Sequence, residues 1–293
     1  MRDWLKHIKG ASALLELRGK GQLKSELGRR LFEHLRTQIL QQCSLTRTPL
    51  PQTVIYLSRE CPKYGRNPAD DLVLISANYL KLRAERPFCP LPSDSELVSM
   101  DIIHRCKVLA EKLEAWRDNL PTELLPVSVH VSSPNPDVLG NYYDVYHDIW
   151  TVGLMNNQRK VTLLVHELAV TRLLHLQRKC LLSVNEVHRI QELRVAALDN
   201  IDMICASVPF LLRSGHVEAV TNVLWPLYVS AQMEPRMLNV SSATRSWIVE
   251  RMRKIGNEMG VKQAIYMADL LVQQQEVTEL LTDAQARTED ESV

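Results

Sequence analysis

Residues 190–208 read IQELRVAALDNIDMICASV, with Ile190, Leu193, Ala197, Ile201, Ile204 and Val208 spaced three or four apart over about five turns. That spacing places six apolar side chains on one stripe of a helix, and a strand of period two cannot align them. The same signature recurs along most of the chain. Val98, Ile102, Cys106, Leu109, Leu113 and Trp116 form a second stripe, with Ser93 or Asp94 as its expected N-cap and Glu96 in its first turn. Pro121 and Pro126 close it.

Working outward, Trp4, Ile8, Ala11 and Leu15 mark a first helix ending near Arg18-Gly19. Leu27, Leu31, Leu35 and Ile39 mark a second, which should stop before Thr48-Pro49-Leu50-Pro51. A short element near Val54–Ser58 and a helix over Ala69–Ala84 follow, with Asp70-Asp71 at the positive end of the helix dipole. Further helices are expected at Tyr142–Asn156, Val161–Leu181, Val184–Val208, Val217–Gln232, Ala243–Met259 and Val261–Gln274, with Pro209 kinking or ending the third. Gly256 and Gly260 read as terminators near Met259.

Two stretches break the pattern. Pro87-Phe88-Cys89-Pro90-Leu91-Pro92 reads as an extended linker, because closely spaced prolines cannot sustain a helix. Residues 127–141 read as a loop: Val127, Val129 and Val131 alternate, then Ser132-Ser133-Pro134-Asn135-Pro136 turns, and no partner strand is evident. The expectation is an all-α bundle or irregular array of roughly ten helices with no substantial sheet. It forms a single domain over 1–281, followed by an acidic, disordered tail at 282–293.

Composition agrees. Apolar residues make up 45% and charged residues 24% of 293, and only 10 glycines and 3 phenylalanines favour helices over a sheet-rich fold. The net charge of +1 gives the whole molecule no strong pull toward nucleic acid or membrane. No apolar run reads as a membrane span, and Met1-Arg2-Asp3-Trp4 carries charges where a secretory leader would be apolar. Charge is uneven, however. Residues 1–66 hold thirteen Lys and Arg against five Asp and Glu, a net of +8, with Arg18, Lys20, Lys24 and Arg29-Arg30 clustered at the first helix junction. Such a face suits phosphates or an acidic partner, or is a solvated helix surface.

Catalytic motifs are lacking. His166-Glu167 begins like H-E-x-x-H, but Val170 stands where the second histidine belongs. No two of the nine histidines lie at i,i+4. There is no G-x-S-x-G elbow, Walker loop or G-x-G-x-x-G, and Gly19-Lys20-Gly21 follows a helix rather than a strand. Asp144, Asp148 and Glu167 could still converge in space with His166. The expectation is no enzyme, no catalytic residue and no cofactor. The cysteines Cys43, Cys61, Cys89, Cys106, Cys180 and Cys205 contain no C-x-x-C, so they cannot form a binuclear zinc cluster and read as buried or half-buried free thiols.

Three blocks of residues carry a resemblance. The first is Trp4, His7, Gly10-Ala11, Leu14-Leu15, Arg18-Gly19, Leu31-Phe32 and Arg36. The second is Cys106, Leu109, Leu113 and Trp116 followed by Leu120-Pro121. The third is Leu224-Trp225-Pro226-Leu227, Ala231, Arg245, Trp247, Ile248, Gly260 and Ala264. In this order they resemble the helical regulatory region of fungal-specific transcription factors, which follows a Zn2Cys6 DNA-binding cluster. The resemblance implies a nuclear regulator of transcription by RNA polymerase II. Such a region senses an effector or contacts co-regulators, and reaches DNA only through a zinc-cluster module absent here.

It further implies either a fragment of a longer regulator or a cluster-less member, with helices upstream of Trp4 missing and an apolar surface near the first helix uncovered. A small apolar effector between helices, around Trp225, Pro226, Leu227, Tyr228 and Trp247, and a homodimer fit the same picture. A helical adaptor outside transcription is the alternative, followed by an enzyme with a cryptic helical site.

Overall fold

The computed structural model describes residues 2–65, 67–85, 94–233 and 243–274. Among these are ten helices and one two-stranded sheet, so the chain is an all-α multi-helix array. The helices are α1 (Arg2–Arg18), α2 (Glu26–Thr46), α3 (Gln52–Glu60), α4 (Pro68–Glu85), α5 (Glu96–Asp118), α6 (Ile149–Arg178), α7 (Val184–Ser214), α8 (Val217–Met233) and α9 (Ala243–Met259). The tenth, α10, spans 262–274. The expected linker 87–92 and tail 282–293 lie outside the described residues.

By its internal contacts the chain groups into two compact units. The first comprises Met1–Leu120 and Val165–Gln191, the second Pro121–Leu164 and Glu192–Val293. Periodicity reports a face to be buried but not which helices share the burial, so it cannot see this division.

Local chemistry sets the helix ends. The Ser25 hydroxyl accepts from Gly28 N at 3.1 Å and starts α2. Ser95, one residue beyond the expected caps, does the same for α5 through Val98 N at 3.4 Å. Ser183 and Glu186 form a reciprocal capping box on α7, with Ser183 N donating to the Glu186 carboxylate at 2.8 Å and Glu186 N to the Ser183 hydroxyl at 3.4 Å. Gly260 ends α9 with φ +71°, a left-handed turn that glycine adopts without steric penalty.

In the first unit, Leu15, Leu23, Phe32, Leu57 and Leu113 are among the most buried apolar side chains. Arg36 of α2 is buried there as well and donates to Asp70 of α4 at 2.5 Å, both side chains 1% exposed. Trp116 Nε1 donates to Pro68 O at 2.9 Å, tying the end of α5 to the start of α4. Arg172 of α6, fully buried, pairs with Asp94 at 2.7 Å. Asp94 therefore anchors a neighbour rather than capping α5.

The second unit corrects three expectations. Residues 127–141 are not simply a loop, because β1 (Val127–His130) pairs antiparallel with β2 (Tyr142–Val145), Val127 opposite Val145. The partner strand had been read as the first turn of a helix. Its Tyr-Tyr-Asp-Val run has strand propensity, and the helix starts only at Ile149, behind the Asp148 cap. The two helices expected on either side of 157–160 are one helix of 30 residues, α6. Its polar run Asn156 to Lys160 looks like a connector, yet Asn156, Gln158, Arg159 and Lys160 are buried.

Arg159 Nη1 donates to the Tyr146 hydroxyl at 2.7 Å, Asn156 Oδ1 at 3.0 Å and Met203 O at 3.1 Å, while Asp144 lies 3.8 Å from its other nitrogen. Asn156 also donates to the Ser207 hydroxyl at 2.8 Å. The third correction concerns Gly256, which does not terminate α9. A Cβ there would come within 2.3 Å of the Ile265 side chain, so this glycine lets α9 and α10 approach closely.

Helix α7 passes through Pro209 to Ser214 without ending. Contrary to the sequence expectation, it is long and apolar enough to cross a membrane, but 56% of the qualifying window is buried inside the protein, as in a core helix.

Candidate functional site

Trp247, Arg251 and Lys254 are spaced four and three on α9 and so share one face. That face grips the turn between the two strands. Trp247 Nε1 donates to Pro136 O at 3.1 Å. Arg251 Nη1 donates to Asp137, and Lys254 Nζ reaches both Asp137 oxygens at 2.7 and 2.8 Å. Across from this clamp, the Arg213 guanidinium near the end of α7 lies 4.3 Å from the centre of the Tyr143 ring and donates to its hydroxyl at 3.1 Å. Between them is a cavity of about 520 Å³ walled by Asp137, Tyr143, Arg213, Lys254 and Glu258 among others. With both charge signs on its walls, it suits a small polar ligand better than a lipophilic one. None of Trp225, Pro226, Leu227, Tyr228 or Trp247 lines it. Trp225 instead stacks on Tyr228 at 5.3 Å and 18°, and Pro226, Leu227 and Tyr228 are buried.

The first unit holds a different feature. The expected apolar stripe of α2, Leu27-Leu31-Leu35-Ile39, is not the buried one. Gly28, Phe32, Arg36, Ile39 and Cys43 face inward, while Leu27 is 78% and Leu31 39% exposed. On α1, Ile8 and Leu15 are buried while Leu14 and Leu17 are exposed. Exposed leucines therefore stand on both α1 and α2. A groove of about 570 Å³ is lined by Leu14, Leu15, Leu31 and Leu35, together with His7 and Arg18. Of the clustered cations, Arg29 donates to Leu23 O at 3.0 Å and Arg30 pairs with Glu26 at 2.6 Å, whereas Arg18, Lys20 and Lys24 stand exposed.

Asp144, Asp148 and His166, considered for a cryptic active site, each have a local structural setting. Asp148 Oδ1 accepts from Thr151 N at 2.7 Å and caps α6. Burial opposes its ionisation, but the Thr151 bonds and His147 outweigh that and hold the carboxyl below its ordinary range. His166-Glu167 lies about five turns further along α6. Burial, helped by the Arg189 charge, pushes the His166 imidazole down to about 4, and its Nδ1 is buried without a hydrogen bond. Asp144 accepts from the Ser128 hydroxyl at 2.7 Å and the Tyr146 hydroxyl at 3.3 Å, beside Arg159.

Sequence spacing did not reveal that Glu33, Cys61 and Asp70 converge, their donor atoms within 4.8 Å of one another. This set is a poor metal site. Arg36 already occupies Asp70, and burial, together with the Asp70 charge, pushes the Cys61 thiol up to about 11, away from the thiolate a metal needs. Cys43, Cys61, Cys106 and Cys205 are buried, as expected. Cys180 is not: it is exposed, at φ 56° just past the end of α6.

Compared with known proteins, the chain matches no family model, no curated protein and no solved structure.

Proposed function

We propose that the chain is the non-catalytic regulatory body of a nuclear transcription regulator of the fungal Zn2Cys6 type. It works by protein contact or effector sensing and reaches DNA only through a separate zinc-cluster module. The observation that carries this reading is that landmarks of the second and third blocks, with Phe32 and Arg36 of the first, are joints of the helical packing. Trp116 ties α5 to Pro68, Trp247 clamps the hairpin turn, and Arg245 of α9 donates to Leu271 O of α10. Ala231, Ile248 and Ala264 are fully buried or nearly so. Residues that join helices in this way suit a body that docks or senses. The ionisable groups point the same way, since Asp144 and Asp148 are engaged in structural bonds and His166 is held neutral.

The test is to fuse the full chain to a heterologous DNA-binding domain in front of a reporter. The reading expects output to rise or fall relative to the DNA-binding domain alone. It also expects Leu31→Asn or Arg213→Ala, on exposed surfaces, to alter that output at unchanged protein level. Silence of the fusion across candidate effectors overturns the transcriptional reading and leaves a helical adaptor.

A further inference from the structure

We propose that the groove between α1 and α2 is a docking site for an amphipathic helix with acidic flanks, supplied by a partner protein. This inference does not rest on the transcriptional reading. Its floor is apolar: Leu15 is 1% exposed, and Leu14, Leu31 and Leu35 form the walls. Outside the lining, Leu17 of α1 is 85% exposed and Leu27 of α2 is 78% exposed. Isolated exposed leucines need no explanation, but Leu14 and Leu31 are exposed on facing walls of one apolar groove, an arrangement of the kind that marks an interaction surface.

The volume, about 570 Å³, suits several leucine-sized side chains projecting from one helix face at i, i+3 or i+4, and i+7. Two opposed helices with an apolar trough between them present the geometry in which a third helix completes the packing.

Charge selects the occupant. Among the described residues, two basic side chains, His7 and Arg18, line the groove and no acidic one does. The 3-10 turn Gly19–Lys24 beside it contributes Gln22 to the lining and carries the exposed Lys20 and Lys24. Within α2, Glu26 is bound to Arg30 and so adds little negative field. The acidic Glu16 of α1 falls on the helix face opposite His7, a half-turn away by helical geometry. A helix carrying Asp or Glu beside its apolar anchors would meet this rim with complementary potential, and a basic helix would be repelled. A second copy of the chain docking by the same face would set Arg18 and its neighbours against their own kind, which disfavours an isologous dimer here.

Phosphate-bearing ligands fit less well. Arg29 and Arg30 are engaged with Leu23 O and Glu26, and the surface they would need to share with Arg18 is leucine-rich.

The test uses the full chain and two fluorescein-labelled synthetic helices. Both are eighteen residues long with leucines at the same i, i+4, i+7 and i+11 positions. One carries glutamates beside the leucines and the other carries lysines at the same places. Fluorescence anisotropy should show saturable binding of the acidic helix, at least about tenfold tighter than its lysine twin and weaker at high salt. Leu14→Asn and Leu31→Asn, both at exposed positions, should each weaken it by about tenfold. Arg18→Glu should narrow the gap between the two helices. Unchanged thermal midpoints show that the variants remain folded.

Equal binding of both helices, binding by neither, or binding indifferent to Leu14 and Leu31 overturns the proposal. So does a wild-type dimer in sedimentation that Leu31→Asn disperses, because a second copy would then own the groove. A silent reporter fusion with intact peptide binding would refute the transcriptional reading alone.

Discussion

Lys160 lies in the middle of α6, 4% exposed, with Asn157 Oδ1 accepting from its ammonium at 2.9 Å. Burial pushes its pKa down from 10.5 to about 8. At 1.36 kcal/mol per pH unit this is a penalty of about 3 kcal/mol on the folded state whenever the amine is charged in both states. Below pH 8 the folded and unfolded chains both hold the proton, and the penalty is fully present. Between about 8 and 10.5 the folded chain releases the proton while the unfolded chain keeps it, so stability rises with pH.

Replacing the residue by Met keeps the unbranched stem and removes the charge. Lys160→Met should therefore be more stable than the parent at pH 7, by up to about 3 kcal/mol. Any loss at half-buried Asn157, about 1 kcal/mol, reduces that gain. The measurement is urea unfolding of both proteins at pH 7, 8, 9 and 10, read as the difference between the two at each pH so that other alkaline titrations cancel. The difference should shrink toward zero by pH 10. A variant no more stable at pH 7, or a difference that stays constant from pH 7 to 10, refutes the argument.

His166 behaves as the acidic counterpart. With its folded-state pKa down at about 4, the parent should lose about 2 kcal/mol between pH 7 and 5 as the unfolded imidazole takes up a proton. His166→Gln should lack that share of the loss in urea titrations at the two pH values. Arg36→Met should cost about 3–5 kcal/mol, because it strands the buried Asp70 carboxylate, while the double variant Arg36→Met/Asp70→Leu should recover most of it in chemical denaturation. Gly256→Ala should lower the thermal midpoint despite the roughly 1 kcal/mol that alanine gains in a helix, because the new methyl would sit on Ile265.

The helices themselves were legible from residue spacing alone. α9 ends at Met259 as read from the sequence, because the Gly260 turn stops it there. What failed was any inference that equates polar with exposed. The run 156–160 hid a continuous helix because the groups that satisfy it, Tyr146, Met203 and Ser207, come from other segments. The α2 stripe was displaced by one position because Arg36 is a core residue there and Leu31 is not. The hairpin was missed because a four-residue strand signals its presence only through its partner, and the partner adjoined a helix.

At the candidate sites, Trp247 and the Arg18–Lys24 cluster could be picked out from the sequence. The Asp137 clamp could not, since 114 positions separate Asp137 from Arg251.

The buried guanidiniums suggest why those departures took this form. A chain of amphipathic helices can pack in many nearly equivalent ways, because leucine stripes tolerate shifts in partner and register. Arg36, Arg159 and Arg172 are each 2% exposed or less, and each reaches a partner from another element: Asp70, Tyr146 with Met203 O, and Asp94. Such pairs add little net stability over apolar packing, yet a wrong register would leave a charge buried and alone, at a cost of several kcal/mol. They therefore discriminate among packings more than they strengthen any one of them. The double variant at Arg36 and Asp70 separates the two roles. An apolar pair that keeps the unfolding free energy but binds a hydrophobic dye and loses dispersed side-chain resonances would mark the ion pair as a register device. A uniquely packed double variant would show that the leucine stripes suffice.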